Sequence, residues 1–248
     1  RGWTIVRGMF PPELCARLRA CVDDAVGATR PLEVSATPQL GMDIDRALEL
    51  RIPVVDSQSF RHTVRQPIFD SALAEAAVAG NMIEMQQRLY SASDGLRLMQ
   101  QMLVRTDADP AAVAAGRSEP GGWHMDTAFL PRHYASSPQT NVFHVLTALN
   151  DVPRGGAALH IVPSAFRQCK AYTEKHMDEL EGLRDSDFRT VLRPRLLMEA
   201  VQDTSECVEV LLSEGDSCVF DLMSTHSAAS NCIGGYILRI IYMRFLYV

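Results

Sequence analysis

Lysine is nearly absent: of 24 basic residues in the 248-residue chain only Lys170 and Lys175 are lysines, and the rest are arginines. We read that skew as codon bias. No long basic run occurs and the formal net charge is −6. The positive footprint that non-specific nucleic-acid binding requires is therefore missing. Long hydrophobic runs are also missing. None approaches the ~20 apolar residues that span a bilayer as a helix. The six cysteines, at positions 15, 21, 169, 207, 218 and 232, form no Cys-x-x-Cys pair. A zinc ribbon or redox dithiol has no support, and scattered thiols point to a reducing intracellular compartment, cytoplasm or organelle. The chain begins at Arg1 and not methionine, which reads as a trimmed start and is compatible with a removed targeting peptide.

What is present is 47% hydrophobic residues, enough for one sizeable core. Gly2 to Gly8 reads as a short strand. Pro11 and Pro12, with Glu13 next and Leu14, Leu18, Cys21 and Val22 at helical spacing, predict a helix. Residues 30 to 57 read as surface loops and 66 to 92 as mostly helical. From Leu96 the pattern changes to strands: 96–104, 141–149, 157–162, 208–212, 217–221 and 236–247, separated by Gly, Pro, Asn and Asp turns. Residues 170 to 200 read as partly helical. Helices followed by many short strands predict a helix-buttressed antiparallel barrel or sandwich. With no repeat and no linker, the expectation is one domain over 1–248, helical support mainly in 9–95 and barrel core mainly in 96–248.

One constellation carries chemistry. Two histidines and a carboxylate can hold Fe(II) on one octahedral face and leave positions open. The local signature is His-x-Asp on a strand, where residues i and i+2 point the same way. About one such match is expected by chance in a chain of this composition, and there are two. His124-Met125-Asp126 follows Gly121-Gly122-Trp123; His176-Met177-Asp178 lies in a charged, helix-like segment, where its side chains would diverge, and reads as solvated surface. A third donor comes from the Gly215-Asp216 turn, whose following strand leads to His226. Arg239, among aliphatic residues of the last strand, is costly to bury without a partner. A dicarboxylate would supply one, through two parallel hydrogen bonds.

These residues resemble the phytanoyl-CoA dioxygenase-like family of Fe(II)/2-oxoglutarate oxygenases. Trp123-His124-Met125-Asp126 resembles its Trp-His-x-Asp motif, Thr147 to Gly156 the strand and turn that follow, and His226 with Asn231 and Arg239 its closing pattern. There are departures. Pro163-Ser164-Ala165-Phe166 lacks a usual glycine and histidine, Leu146 stands where several members have tryptophan, and Ala228 replaces a frequent hydroxyl residue. The resemblance implies a double-stranded β-helix (jelly-roll, cupin-like) barrel with flanking helices. It implies iron on His124, Asp126 and His226, 2-oxoglutarate paired to Arg239, and molecular oxygen as co-reactant. Arg105, at the end of an early strand, reads either as a second anion contact or as an exposed loop arginine. The activity implied is hydroxylation of a small molecule with release of succinate and CO2. An aspartate at 126, where related halogenases carry a small residue, implies oxidation and not halogenation. Residues 31–60 and 167–207 would form lid and rim. Arg184, Arg189, Arg193 and Arg195 read as a solvated face, with an anionic substrate such as an acyl-CoA the minority reading. Two other classes compete: a cupin-like metal enzyme using the same triad without 2-oxoglutarate, and a catalytically silent barrel serving as a binding module.

Overall fold

The computed structural model describes residues 2–28, 54–58, 60–65, 71–77, 84, 96–125, 142–165, 167–168, 171, 175, 206–221 and 223–247. Within these, the chain opens with strand β1 (Trp3–Val6) and helix α1 (Pro12–Ala28). Proline in the first turn, with Glu13 beside it, suits a helix start, because proline lacks the N–H that would go unpaired there and a carboxylate favours the positive end. β2 (Val54–Gln58), β3 (Arg61–Arg65), helix α2 (Ser71–Ala77) and β4 (Leu96–Thr106) follow. Then come helix α3 (Pro110–Ala115), β5 (Gly121–His124), β6 (Val142–Ala148), β7 (Leu159–Ile161), β8 (Val208–Val210), β9 (Ser217–Asp221), β10 (His226–Ala228) and β11 (Leu238–Tyr247).

Two antiparallel sheets result: a seven-stranded sheet ordered β1-β9-β6-β11-β4-β3-β2 and a four-stranded sheet ordered β5-β10-β7-β8. The mostly β, two-sheet jelly-roll expectation holds. Residues 54–57, expected in a loop, form β2 instead; the apolar and polar residues there pair with β3 from Val54↔Arg65 to Gln58↔Arg61. Of the helical segment expected over 66–92, α2 is described; the remainder of it and the helix expected within 170–200 fall almost wholly outside the described residues.

The core has two layers. On the outer face of the large sheet, Leu14, Cys15, Leu18, Val22 and Ala25 of α1 pack with Phe143, Val145, Val219, Ile241 and Phe245. Between the sheets, Val104, Leu146, Leu159, Val210, Phe220 and Ile240 meet. Each fully buried leucine or valine contributes about 1.5–3 kcal/mol. Burial also silences thiols: desolvation pushes Cys15 up to about 11 and Cys218 up to about 12.

The Gly215-Asp216 turn ties the layers together. Asp216 accepts hydrogen bonds from the Gly8 amide (2.9 Å), the Ser213 amide (3.1 Å) and the Arg7 guanidinium. Burial alone would raise its pKa, but these donors and the Arg7 charge hold it below the ordinary aspartate value. The folded chain thus binds this proton more weakly than the unfolded chain does. The stabilisation is complete above the unfolded value, near 3.9, and is lost as pH falls through the lower folded value. Asp216→Asn should lower the melting temperature at neutral pH and flatten the acid limb below about pH 4. Thermal melts across that range, compared with the parent protein, check both.

Candidate metal centre and its cavity

β5 and β10 pair so that His124 and His226 stand directly opposite one another. Their ring centroids are 4.3 Å apart and tilted by 52°. Both rings are held the same way: His124 Nδ1 lies 2.9 Å from the Gly122 carbonyl and His226 Nδ1 lies 2.8 Å from the Ser224 carbonyl. A carbonyl oxygen only accepts, so each Nδ1 carries the hydrogen, and in the neutral ring Nε2 is the lone-pair nitrogen. Metal-ligating histidines are usually oriented by just such an outward N–H to a carbonyl. Phe220 packs edge-on against His226 at 4.9 Å and fixes the ring from its other side. Asp126, two residues beyond His124, lies outside the described residues, as do His176 and Asp178. Among the described residues no three His, Cys, Asp or Glu side chains converge as a metal site. The pair therefore offers two nitrogen donors of the right tautomer.

The histidine pair opens on a cavity of about 540 Å³ between the sheets. Strand alternation decides its lining. On β4, Met102, Val104 and Thr106 face it; on β11, Leu238, Ile240, Tyr242 and Arg244 do. The small sheet adds Leu159, Val210 and Ala228, which offers no hydroxyl. Asn231 closes the end of β10: its Nδ2 donates to the Tyr236 carbonyl at 2.7 Å and its Oδ1 accepts from Ile233 at 3.1 Å. Two residues escaped the sequence reading. His144 on β6 is fully buried and stacks on Phe220 at 5.0 Å with a 12° tilt. Arg244 lies opposite it on β11 and is 5% exposed. The available signal was a polar residue inside an apolar strand, Val142-Phe143-His144-Val145 and Tyr242-Met243-Arg244-Phe245.

The sequence matches the phytanoyl-CoA dioxygenase (PhyH) family over residues 1–232. The chain belongs to that family. It is accordingly an enzyme of the 2-oxoglutarate-dependent oxygenase class. A search of curated proteins finds no match. Among solved structures, the chain is similar to the non-haem α-ketoglutarate-dependent epimerase SnoN from nogalamycin biosynthesis, at 15% identity and TM-score 0.58, covering 99% of this chain and 77% of that one. It is similar to HygX from Streptomyces hygroscopicus, solved with nickel and 2-oxoglutarate, at 10% identity and TM-score 0.58, covering 99% and 82%. It is also similar to EvdO2 from Micromonospora carbonacea var. aurantiaca, solved with 2-oxoglutarate, at 14% identity and TM-score 0.56, covering 100% and 87%. At these identities the likeness is one of fold.

The structure places the two candidate anion-binding arginines of this PhyH-family chain together and away from the histidine pair. Arg239 and Arg105 do not line the cavity. Both occupy odd positions of β11 and β4, directly opposite each other, and so project from the outer face of the large sheet. There Asp23 of α1 receives Arg239 Nε at 2.9 Å and Arg105 Nη1 at 3.5 Å, while Arg105 Nε bonds Asp107 at 2.7 Å. Like charges directly across a sheet repel, and Asp23 offsets that repulsion. Asp23→Ala should lower stability by about 1–2 kcal/mol, the scale of a half-exposed pair. The loss should shrink in high salt, which screens the two arginines left facing one another. Urea denaturation at two ionic strengths measures it.

Proposed function

We propose that this chain is an Fe(II)- and 2-oxoglutarate-dependent dioxygenase that hydroxylates a small, largely apolar organic molecule, releasing succinate and CO2. The observation that carries the reading is the opposed His124–His226 pair at one end of an apolar cavity. His124, Asp126 and His226 would hold the iron, a two-histidine, one-carboxylate set that leaves positions for cosubstrate and oxygen. When bound, iron and 2-oxoglutarate would supply the oxidising power for C–H chemistry.

The chain's own residues supply position and exclusion. The Gly122 and Ser224 carbonyls fix the tautomer of both rings, so that each Nε2 faces the metal without a proton to lose. Phe220 blocks rotation of His226. Val104, Leu146, Leu159, Val210, Leu212 and Ile240 keep water away and favour an apolar substrate body. Neighbours of the same fold include a named epimerase and a named carbocyclase, so product analysis belongs in the test. The purified chain with Fe(II) should convert 2-oxoglutarate to succinate in an oxygen-dependent reaction. An apolar substrate should accelerate it and gain one oxygen atom by mass spectrometry. Intact iron binding with no 2-oxoglutarate turnover under any condition would sink the proposal.

A further inference from the structure

A five-carbon diacid chelated near the histidine pair places its second carboxylate inside the cavity, where burial demands a cation. Arg239 is not there: it lies on the outer face and is bonded to Asp23. We propose that Arg244 is the residue of this chain that grips the distal carboxylate of 2-oxoglutarate. The assignment rests on the proposed function and adds to it a cosubstrate anchor other than Arg239.

Three observations converge on Arg244. The first is orientation. Arg244 shares the cavity face of β11 with Leu238, Ile240 and Tyr242, and only 5% of it is exposed. The second is level. Arg244 pairs with His144, His144 pairs with Phe220, and Phe220 packs on His226. The guanidinium-bearing residue therefore stands in the same cross-section of the molecule as the histidine pair. The third is competition. Among the described residues, the other arginine on the cavity lining, Arg61, is exposed and pairs with Thr106, which also pairs with Leu238. Leu238 and Arg244 are six residues apart on one strand, roughly 20 Å. A five-carbon chain held near the histidines does not span that distance to Arg61. His144, the cross-strand partner of Arg244, stacks on Phe220 and meets Tyr242, and a forked guanidinium–carboxylate pair is stronger in a surround of low dielectric.

The test is anaerobic titration of Fe(II)-loaded protein, read by the visible charge-transfer band and by calorimetry. The proteins are the parent, Arg244→Met, Arg244→Lys and Arg239→Met. The titrants are 2-oxoglutarate and 2-oxobutyrate, which has the same chelating end and no distal carboxylate. Arg244→Met should weaken 2-oxoglutarate binding by at least about a hundredfold, the loss expected when one partner of a buried charge pair is removed. It should leave 2-oxobutyrate within about threefold, since that ligand lacks the group the arginine holds. Arg239→Met should leave both titrants within the same range. If Arg244→Met does not fold by thermal melting, Arg244→Lys carries the test, with about a tenfold loss confined to 2-oxoglutarate. Equal weakening of both titrants by the Arg244 variants would show a structural role and overturn the assignment, as would a selective loss on Arg239→Met. A parent protein that binds iron but neither titrant overturns the oxygenase reading and the anchor with it.

Discussion

His226→Ala is expected to abolish 2-oxoglutarate turnover and to weaken Fe(II) binding by well over about a hundredfold, the upper end of what loss of a mere supporting partner costs a metal site. The direction follows from geometry. His226 and His124 face each other across the β5–β10 pair, and each donates Nδ1–H to a carbonyl two residues earlier. An alanine at 226 removes one of the two described donors and leaves the other without its counterpart. His160 is the matched control. It makes the same contact to the carbonyl two residues back, at 3.1 Å from Ala158, and it is nearly as buried as His226. On β7, however, it alternates with Leu159 and Ile161, which join the core between the sheets, so it turns away from the cavity. His160→Ala should leave iron binding within about threefold, because no metal ligand is lost. Equilibrium dialysis with Fe(II) under argon, beside succinate formation, separates the two variants. Equal iron affinity in parent and His226→Ala would remove this pair from the metal site.

The contrast between Arg239 and Arg244 shows what could be read from sequence and what could not. β11 was legible as a strand, because Ile240, Ile241, Tyr242 and Phe245 are β-branched or aromatic. Its facing was not. A strand with one wet face alternates polar and apolar residues, but β11 is covered on both sides: Ile241, Met243 and Phe245 enter the outer core and Leu238, Ile240 and Tyr242 the inner one. With apolar residues on both faces, nothing in the pattern says whether odd or even positions meet the ligand. His124 and His226 were legible as candidates because a short motif and a turn flank them. Their apposition was not, since β5 and β10 are four- and three-residue strands without alternation of their own. Asp23 lies 216 residues from Arg239 in sequence, a pairing that only the packing of α1 on the large sheet creates.

Among the described glycines, Gly215→Ala is expected to be the most damaging substitution away from the proposed metal ligands. The turn before β9 was readable from its Gly-Asp pair, but its tightness appears only in three dimensions. Gly215 has φ +82°, a left-handed conformation that costs an L-residue roughly 1–2 kcal/mol. A Cβ built there would sit 2.3 Å from the Phe10 carbonyl oxygen, a backbone atom that no rotamer change can move. The same peptide is clamped on both sides, since Phe10 N–H donates to the Gly215 carbonyl at 3.0 Å and Gly215 N–H to the Ala148 carbonyl at 2.8 Å. Relieving the clash breaks at least one of these bonds, a further ~1 kcal/mol. Together the change should cost about 3 kcal/mol, or roughly 6–12 °C in melting temperature for a chain of this size. The effect should reach the site, because β9 starts two residues later and carries Phe220 against His226. Gly215→Ala should therefore weaken iron binding as well as stability. Gly116→Ala, also at positive φ but with nothing within 4 Å of a built Cβ, should cost only the conformational part and leave iron affinity as it was. If both alanine variants melt together, the clash with Phe10 is not what makes position 215 special.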